Sequence, residues 1–349
     1  MATTTPWWVP VAGVADLRAA PPWAARAFGE DLVLWRASGA APNPQSPLSP
    51  LSPPGPPSVF VDRCPHRGAR LSRGRVDAAT GTLECPYHGW RFEHGGRCIA
   101  IPALPDFTPP ATHRACAWQA TEAHGLVWVA AAGAPPAAPH TPDALHGLPA
   151  RRVLCGPFDV AASAPRVVEN FLDTAHFGFV HEGSLGSREQ LAVPHYDVVH
   201  DEHGRPGVPL YRAWQPRATS TAQGGTWVNY RYQLLGPWSA LLTKQAEADG
   251  APAEAYALWG CPLDEEHTRV WFTICTSERE DAGGPGDDAL RAFQAAVFAE
   301  DAPVLESQRP VRLPLQPAAG EGELHCAADR LSVAYRRWLL ETGARYGTC

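Results

Sequence analysis

Two short loops constrain this chain more than anything else in it: "CPHRG" at 64–68 and "CPYHGW" at 85–90. They read Cys64-x-His66, eighteen intervening residues, then Cys85-x2-His88. Each loop offers one thiol and one imidazole and follows a run of strand-forming residues, so the fold must bring two strand ends onto one metal centre. The surrounding sequence suits such a scaffold. From Trp7 to Val129 short apolar runs, "LVLWRA" at 32–37, "SVFVDR" at 58–63 and "GLVWVAAA" at 125–132, alternate with Gly and Pro, the pattern of a small all-β domain. Between the first two runs a proline-rich stretch, 38–57, lacks the composition to build a core and reads as an inserted loop.

The donor pairing separates the candidate metals. Thiolate and imidazole both suit zinc, but a structural zinc site more often opens with a Cys-x2-4-Cys knuckle. One Cys and one His from each loop suit instead a Rieske [2Fe–2S] cluster, in which one iron takes the two thiolates of Cys64 and Cys85 and the other the two imidazoles of His66 and His88. Gly68 and Gly89 let the loops turn tightly and aim amides at the cluster sulfurs. Respiratory carriers of such clusters have a further cysteine in each loop; here those regions read Arg67, Gly68, Ala69 and Pro86, Tyr87. The cluster is thus of the soluble, lower-potential kind and must pass its electrons onward.

A Pro/Ala-rich segment at 133–150 marks a boundary between domains 1–140 and 141–349. Beyond it, strand-like runs at 209–215, 226–235, 255–263 and 268–276 precede helical patterns at 287–308 and 327–343, an α+β arrangement with helices on one face of an antiparallel sheet. At its head stands "ENFLDTAHFGFVH", Glu169 to His181. His176 and His181 are five apart, about 140° on an ideal helix, so they share a face only if the helix unwinds, and Gly178 is where it can. Two histidines and a carboxylate form the facial triad of non-haem Fe(II) oxygenases. Asp173, three residues before His176, suits a hydrogen bond to that imidazole. The carboxylate ligand is sought downstream, at Asp301 in "FAEDAPVLESQ", with Glu300 as competitor.

Composition excludes other classes. Charged residues are 19% of 349 and the net charge is -7, so no basic field draws nucleic acid or an anionic membrane. No apolar run is long enough to span a bilayer and the N-terminus lacks a secretory pattern, which reads as a cytoplasmic protein. Nine cysteines, an odd number, read as reduced thiols, those outside the two loops being core residues or surface thiols. Lys244 is the one lysine in the chain.

With these motifs in view, the chain resembles the catalytic (α) subunit of Rieske non-haem iron oxygenases. "NFLDTAHFGFVH" matches that family's Asn-x2-Asp-x2-His-x4-His pattern, and "AED" followed by "LESQ" resembles the segment bearing its third ligand. The resemblance implies an N-terminal all-β Rieske domain and a C-terminal helix-grip catalytic domain. It implies His176, His181 and Asp301 as iron ligands, Asn170 beside the iron, and Asp173 as an electronic bridge in a homotrimer where one subunit's cluster faces its neighbour's iron. It further implies that NAD(P)H acts only indirectly, through a separate reductase or ferredoxin, since the chain shows no Gly-rich dinucleotide fingerprint. The chain's length is similar to the α-only branch of demethylases and monooxygenases, so the expected reaction uses O2 to hydroxylate or O-/N-demethylate a small aromatic or related organic substrate. Arene cis-dihydroxylation is the alternative within the fold, and a soluble electron carrier the alternative outside it. Trp227, Tyr230, Tyr232, Trp259 and Trp271 are candidate pocket residues, although strand alternation sends about half of such a set elsewhere. The Gly- and Ser-containing segment 182–199 is a candidate lid.

Overall fold

The computed structural model describes residues 7–19, 22–36, 56–77, 80–131, 145–217, 224–247, 251–315 and 322–349. The expected proline-rich insertion falls almost wholly outside these residues, as does the boundary expected at 140. The chain divides into two compact units, Met1–Thr141 and Pro142–Cys349. Among the described residues no helix is long and apolar enough to cross a membrane.

The first unit is built from short strands. β1 (Val9–Gly13), β2 (Trp23–Ala27), β3 (Glu30–Trp35), β4 (Ser58–Val61), β9 (Ala117–Ala123) and β10 (Leu126–Ala130) form one antiparallel sheet in the order β1-β10-β9-β4-β3-β2. The turn α1 (Asp16–Ala19) follows β1. A smaller sheet, β5 (Arg75–Asp77), β6 (Thr82–Glu84), β7 (Arg91–Phe92) and β8 (Cys98–Ala100), pairs in chain order. The run "LVWVA" of β10 is buried along its whole length, as expected of a strand covered on both faces. Trp35, Phe60, Leu71, Leu83 and Phe92 form a core against which Cys64 and Cys85 are buried. The first metal-type loop therefore leaves β4, and the second spans β6 to β7.

The second unit carries a seven-stranded antiparallel sheet in the order β11-β17-β16-β15-β14-β13-β12. Its strands are β11 (Arg151–Val160), β12 (Val199–His200), β13 (Pro206–Gln215), β14 (Thr226–Gly236), β15 (Ser239–Ala246), β16 (Ala253–Pro262) and β17 (Thr268–Thr276). The helices are α2 (Ala164–Leu172), α3 (Phe177–Val180), α4 (Asp287–Ser307) and α5 (Arg330–Thr342). α4 packs on β11, α2 on β15 and β16, and α5 on β13, so the sheet supplies one continuous floor under three helices. A buried ionic network ties the helices together. Arg336 of α5 donates to both oxygens of Glu169 on α2, at 2.6 and 2.7 Å, and Glu323 bridges Arg336 to Arg166. Glu169 is thus committed to holding α2 against α5.

The helix predicted through His181 is broken earlier than Gly178. α2 ends at Leu172, Asp173 adopts extended geometry, and the chain restarts as the single turn α3. Gly178 is needed for space instead: a Cβ there would lie 2.4 Å from Leu191 Cδ2 and 2.9 Å from the Ser187 carbonyl oxygen.

Candidate metal centres and active site

The two Cys/His loops are built alike. Gly68 N–H donates to the Cys64 carbonyl at 2.9 Å and Cys64 N–H to that of Ala69 at 2.8 Å; Gly89 N–H donates to the Cys85 carbonyl at 3.1 Å and Cys85 N–H to that of Trp90 at 2.9 Å. Each turn closes on a glycine in the left-handed region, Gly68 at φ +69° and Gly89 at φ +70°, where a side chain would be strained. Asp62 braces the first loop, accepting from the Ser72 N–H at 2.7 Å and the Ser72 hydroxyl at 2.6 Å.

The donors sort by type. The Cys64 and Cys85 thiols are buried and within hydrogen-bonding reach of each other, and burial together with that neighbour pushes the Cys64 thiol up to about 12. The His66 and His88 rings are exposed, with centroids 4.7 Å apart, and His66 stacks on Trp90 at 4.6 Å. Desolvation and the facing His88 lower the His66 pKa, which favours the neutral imidazole a metal requires. Thiol beside thiol and imidazole beside imidazole fit a two-iron cluster with one donor type on each iron, with the thiolate end inward and the imidazole end at the surface.

The second donor set is assembled by the break before α3. The Asp173 carboxylate accepts from the Ala175 N–H at 2.8 Å and pairs with His176 Nδ1 at 3.1 Å, so it fixes both the chain path and the first imidazole. Burial opposes its ionisation, but these hydrogen bonds outweigh that and hold its pKa below the usual value. His176 and His181 then flank one helical turn, with ring centroids 5.1 Å apart. From α4, Asp301 Oδ1 lies 3.1 Å from His181 Nε2 and 3.6 Å from His176 Nε2. Asn170 Nδ2 donates to the same oxygen at 3.3 Å. Donor atoms of His176, His181 and Asp301 all lie within 4.8 Å of one another, the arrangement that holds a divalent metal.

The competition between the adjacent acids resolves geometrically. Consecutive helical residues point about 100° apart. Asp301 faces the Nε2 atoms, whereas Glu300 reaches behind His181 and pairs with its Nδ1 at 2.6 Å. Each imidazole thus offers Nε2 to the site while a carboxylate holds its other nitrogen, the backing that orients a metal-binding histidine. Burial disfavours the His181 imidazolium, yet Asp301 and Glu300 outweigh it and raise the pKa of the metal-free ring.

These residues open onto a pocket walled by Phe171, Phe177, Phe272, Phe293 and Phe298 with Leu242 and Leu258, and carrying Lys244, Tyr256 and Gln294 as polar members. Of the aromatic candidates, Tyr230 lines this pocket. Tyr232, Trp259 and Trp271 are buried in the core, and Trp227 lies at the surface under the Arg212 guanidinium, 4.2 Å from its ring centroid. The segment after His181 is pinned at its start, where the N–H groups of Ser184, Leu185 and Gly186 all donate to the His181 carbonyl, and Leu185 joins the pocket wall. Sequence reasoning missed Lys244 and Gln294 as pocket residues. That Lys244 is the single lysine of the chain was the available signal for the first.

Comparison with known proteins places these observations. Residues 7–114 match the Rieske [2Fe-2S] domain, and residues 160–345 match the vanillate O-demethylase oxygenase C-terminal domain. The methylxanthine N1-demethylase NdmA of Pseudomonas putida is 31% identical over 291 residues, 80% of this chain and 75% of that protein. The solved structure of Pseudomonas putida CBB5 NdmA with caffeine superposes with a TM-score of 0.75 at 26% identity, covering 97% of this chain and 91% of that one. Dicamba monooxygenase bound to dicamba shares the fold, with a TM-score of 0.71 at 21% identity over 97% of this chain and 98% of that one.

Exchanging Glu300 for Gln removes the charge behind His181 while keeping a hydrogen-bonding group. Iron affinity at the second set, measured by competition with a chelator, should fall roughly 10- to 100-fold while the visible spectrum of the cluster is unchanged. Unaltered affinity would show that Glu300 does not support His181.

Proposed function

The chain belongs to the Rieske oxygenases with a catalytic unit of the vanillate O-demethylase type, and from that premise we propose that it removes a methyl group from oxygen or nitrogen of a small aromatic substrate. The observation that carries this reading is the presence in one chain of two donor sets, the paired thiols and imidazoles and the His2Asp group, the latter opening onto an apolar pocket. The demethylase relatives and the vanillate O-demethylase match favour demethylation over ring dihydroxylation.

Cys64, Cys85, His66 and His88 hold the [2Fe–2S] cluster in this reading, and His176, His181 and Asp301 hold Fe(II) on one side. When bound, the cluster supplies electrons singly and the iron activates O2. The chain's own work is geometric and electrostatic. Asp173 and Glu300 fix the two imidazoles, and the Asn170 amide holds Asp301. The phenylalanine wall keeps water from the reacting methyl group. Hydroxylation of that methyl consumes O2, two electrons and two protons, with one oxygen leaving as water. The resulting hemiacetal or hemiaminal breaks its C–O or C–N bond and releases formaldehyde.

Electrons come from NAD(P)H through a separate reductase, directly or through a ferredoxin, and the enzyme works as a homotrimer in the cytoplasm. Asp173 carries coupling between a neighbour's cluster histidine and His176. Its ionised carboxylate, bonded to His176 and still partly exposed at 30%, supports this role.

Two measurements test the proposal. Iron-loaded protein driven with hydrogen peroxide against methoxy- and N-methyl-arenes should release formaldehyde with a product one CH2 lighter. Gain of two oxygens and two hydrogens would instead mark a dihydroxylating enzyme. Asp173→Asn, which keeps a hydrogen-bonding group beside His176 and is loaded with excess Fe(II) to offset weaker iron binding, should keep the cluster and the peroxide-driven reaction and lose reductase-driven turnover by roughly a hundredfold. Normal reductase-driven turnover in that variant would remove Asp173 as the bridge.

A further inference from the structure

The pocket holds one cation in its described lining. Lys244 on β15 is the one ammonium or guanidinium among the described residues lining it, and its side chain is only 6% exposed. It stands directly opposite Glu254 of β16 in the ladder. Its Nζ meets Glu254 Oε2 at 2.9 Å, and the Glu254 side chain is 3% exposed. The Tyr256 hydroxyl donates to the same carboxylate oxygen at 3.3 Å, while the Lys244 ammonium lies 5.2 Å from the Tyr256 ring centroid. The cation is therefore neutralised where it stands, by a partner that the sheet register fixes.

An anionic substrate entering this pocket would give up its hydration to a largely apolar wall. Away from the proposed iron site, the charged side chain it would meet in the described lining is Lys244, already neutralised by Glu254. A neutral acceptor loses far less on entry and is still attracted by the ammonium dipole of the pair. Resting on the reading that this pocket receives the substrate, we propose that the Lys244–Glu254 pair selects uncharged aromatic or heteroaromatic substrates bearing a carbonyl group, anchors that carbonyl at Lys244, and excludes carboxylates. Lys244 is then a specificity-determining residue, and Glu254 acts through it as a positioning residue.

The test is equilibrium binding to the intact, metal-loaded protein near neutral pH, read by tryptophan fluorescence or calorimetry with three probes of matched shape: 4-methoxybenzamide, 4-methoxybenzoate and 4-methoxytoluene. The wild type should bind the benzamide at least tenfold more tightly than either other probe. Glu254→Gln removes the carboxylate that neutralises the ammonium and should strengthen benzoate binding tenfold or more, a gain that mere loss of structure does not produce. The double variant Lys244→Met/Glu254→Gln removes both charges and should bring the benzamide down to the level of the toluene while benzoate stays weak. A wild type that prefers the benzoate, or ranks the three equally, overturns the proposal, as does a folded Glu254→Gln protein with unchanged benzoate affinity. Because binding needs no turnover, the two readings fail separately. Tight benzamide binding without formaldehyde release keeps this inference and removes demethylation, whereas equal binding of all three with formaldehyde release does the reverse.

Discussion

The second centre depends on one carboxylate at a helix end. His176 and His181 stand immediately before and after the single turn α3, and their rings converge from its two ends with centroids 5.1 Å apart. Asp173 sets where that turn begins: its extended backbone ends α2, one oxygen accepts from the Ala175 N–H, and the other holds His176. The remaining parts follow. α4, packed on β11, delivers Asp301 to the Nε2 side and Glu300 to the Nδ1 side of His181, and the Glu169–Arg336 pair keeps α2 from drifting relative to α5. Asp173 thus sets the chain path and orients His176, and its own pKa is held below the usual carboxylate value.

Polarity is graded in both units. In the first, the thiols are buried and the imidazoles exposed, so the donor set runs from the core to the surface. In the second, the pocket lining carries acidic Asp301 and basic Lys244, the latter paired with Glu254, among phenylalanine and leucine side chains. Both hold their charges in matched sets, which is the condition for burying them at all.

Much of this was legible in the sequence because the chemistry demanded rare residues at fixed spacing. Two Cys/His loops closed by glycines permit few structures, and the strands at 226–236 and 268–276 announced themselves through β-branched and aromatic runs. What was not legible depended on helix phase and on packing across the sequence. Glu300 and Asp301 are adjacent acids, and only the rotation of α4 decides which faces the imidazole Nε2 atoms. Gly178 looked like a point of unwinding but is a point of close approach to Ser187 and Leu191. β15 was missed because "SALLTKQA" lacks a strand composition of its own and is held by its neighbours on both sides. The pairing of Lys244 with Glu254 rests on that same register and is invisible without it.

Mössbauer spectroscopy of protein grown on 57Fe bears most directly on whether one chain carries two distinct iron centres. Roughly three irons per chain are expected: two inequivalent ferric sites of a diamagnetic oxidised cluster, one with two cysteine and one with two histidine ligands besides the shared sulfides, and a separate high-spin ferrous site in half their combined intensity. A spectrum with the cluster pair alone, in protein that had been supplied with Fe(II), would contradict the His176, His181 and Asp301 centre, and absence of the inequivalent pair would contradict the cluster.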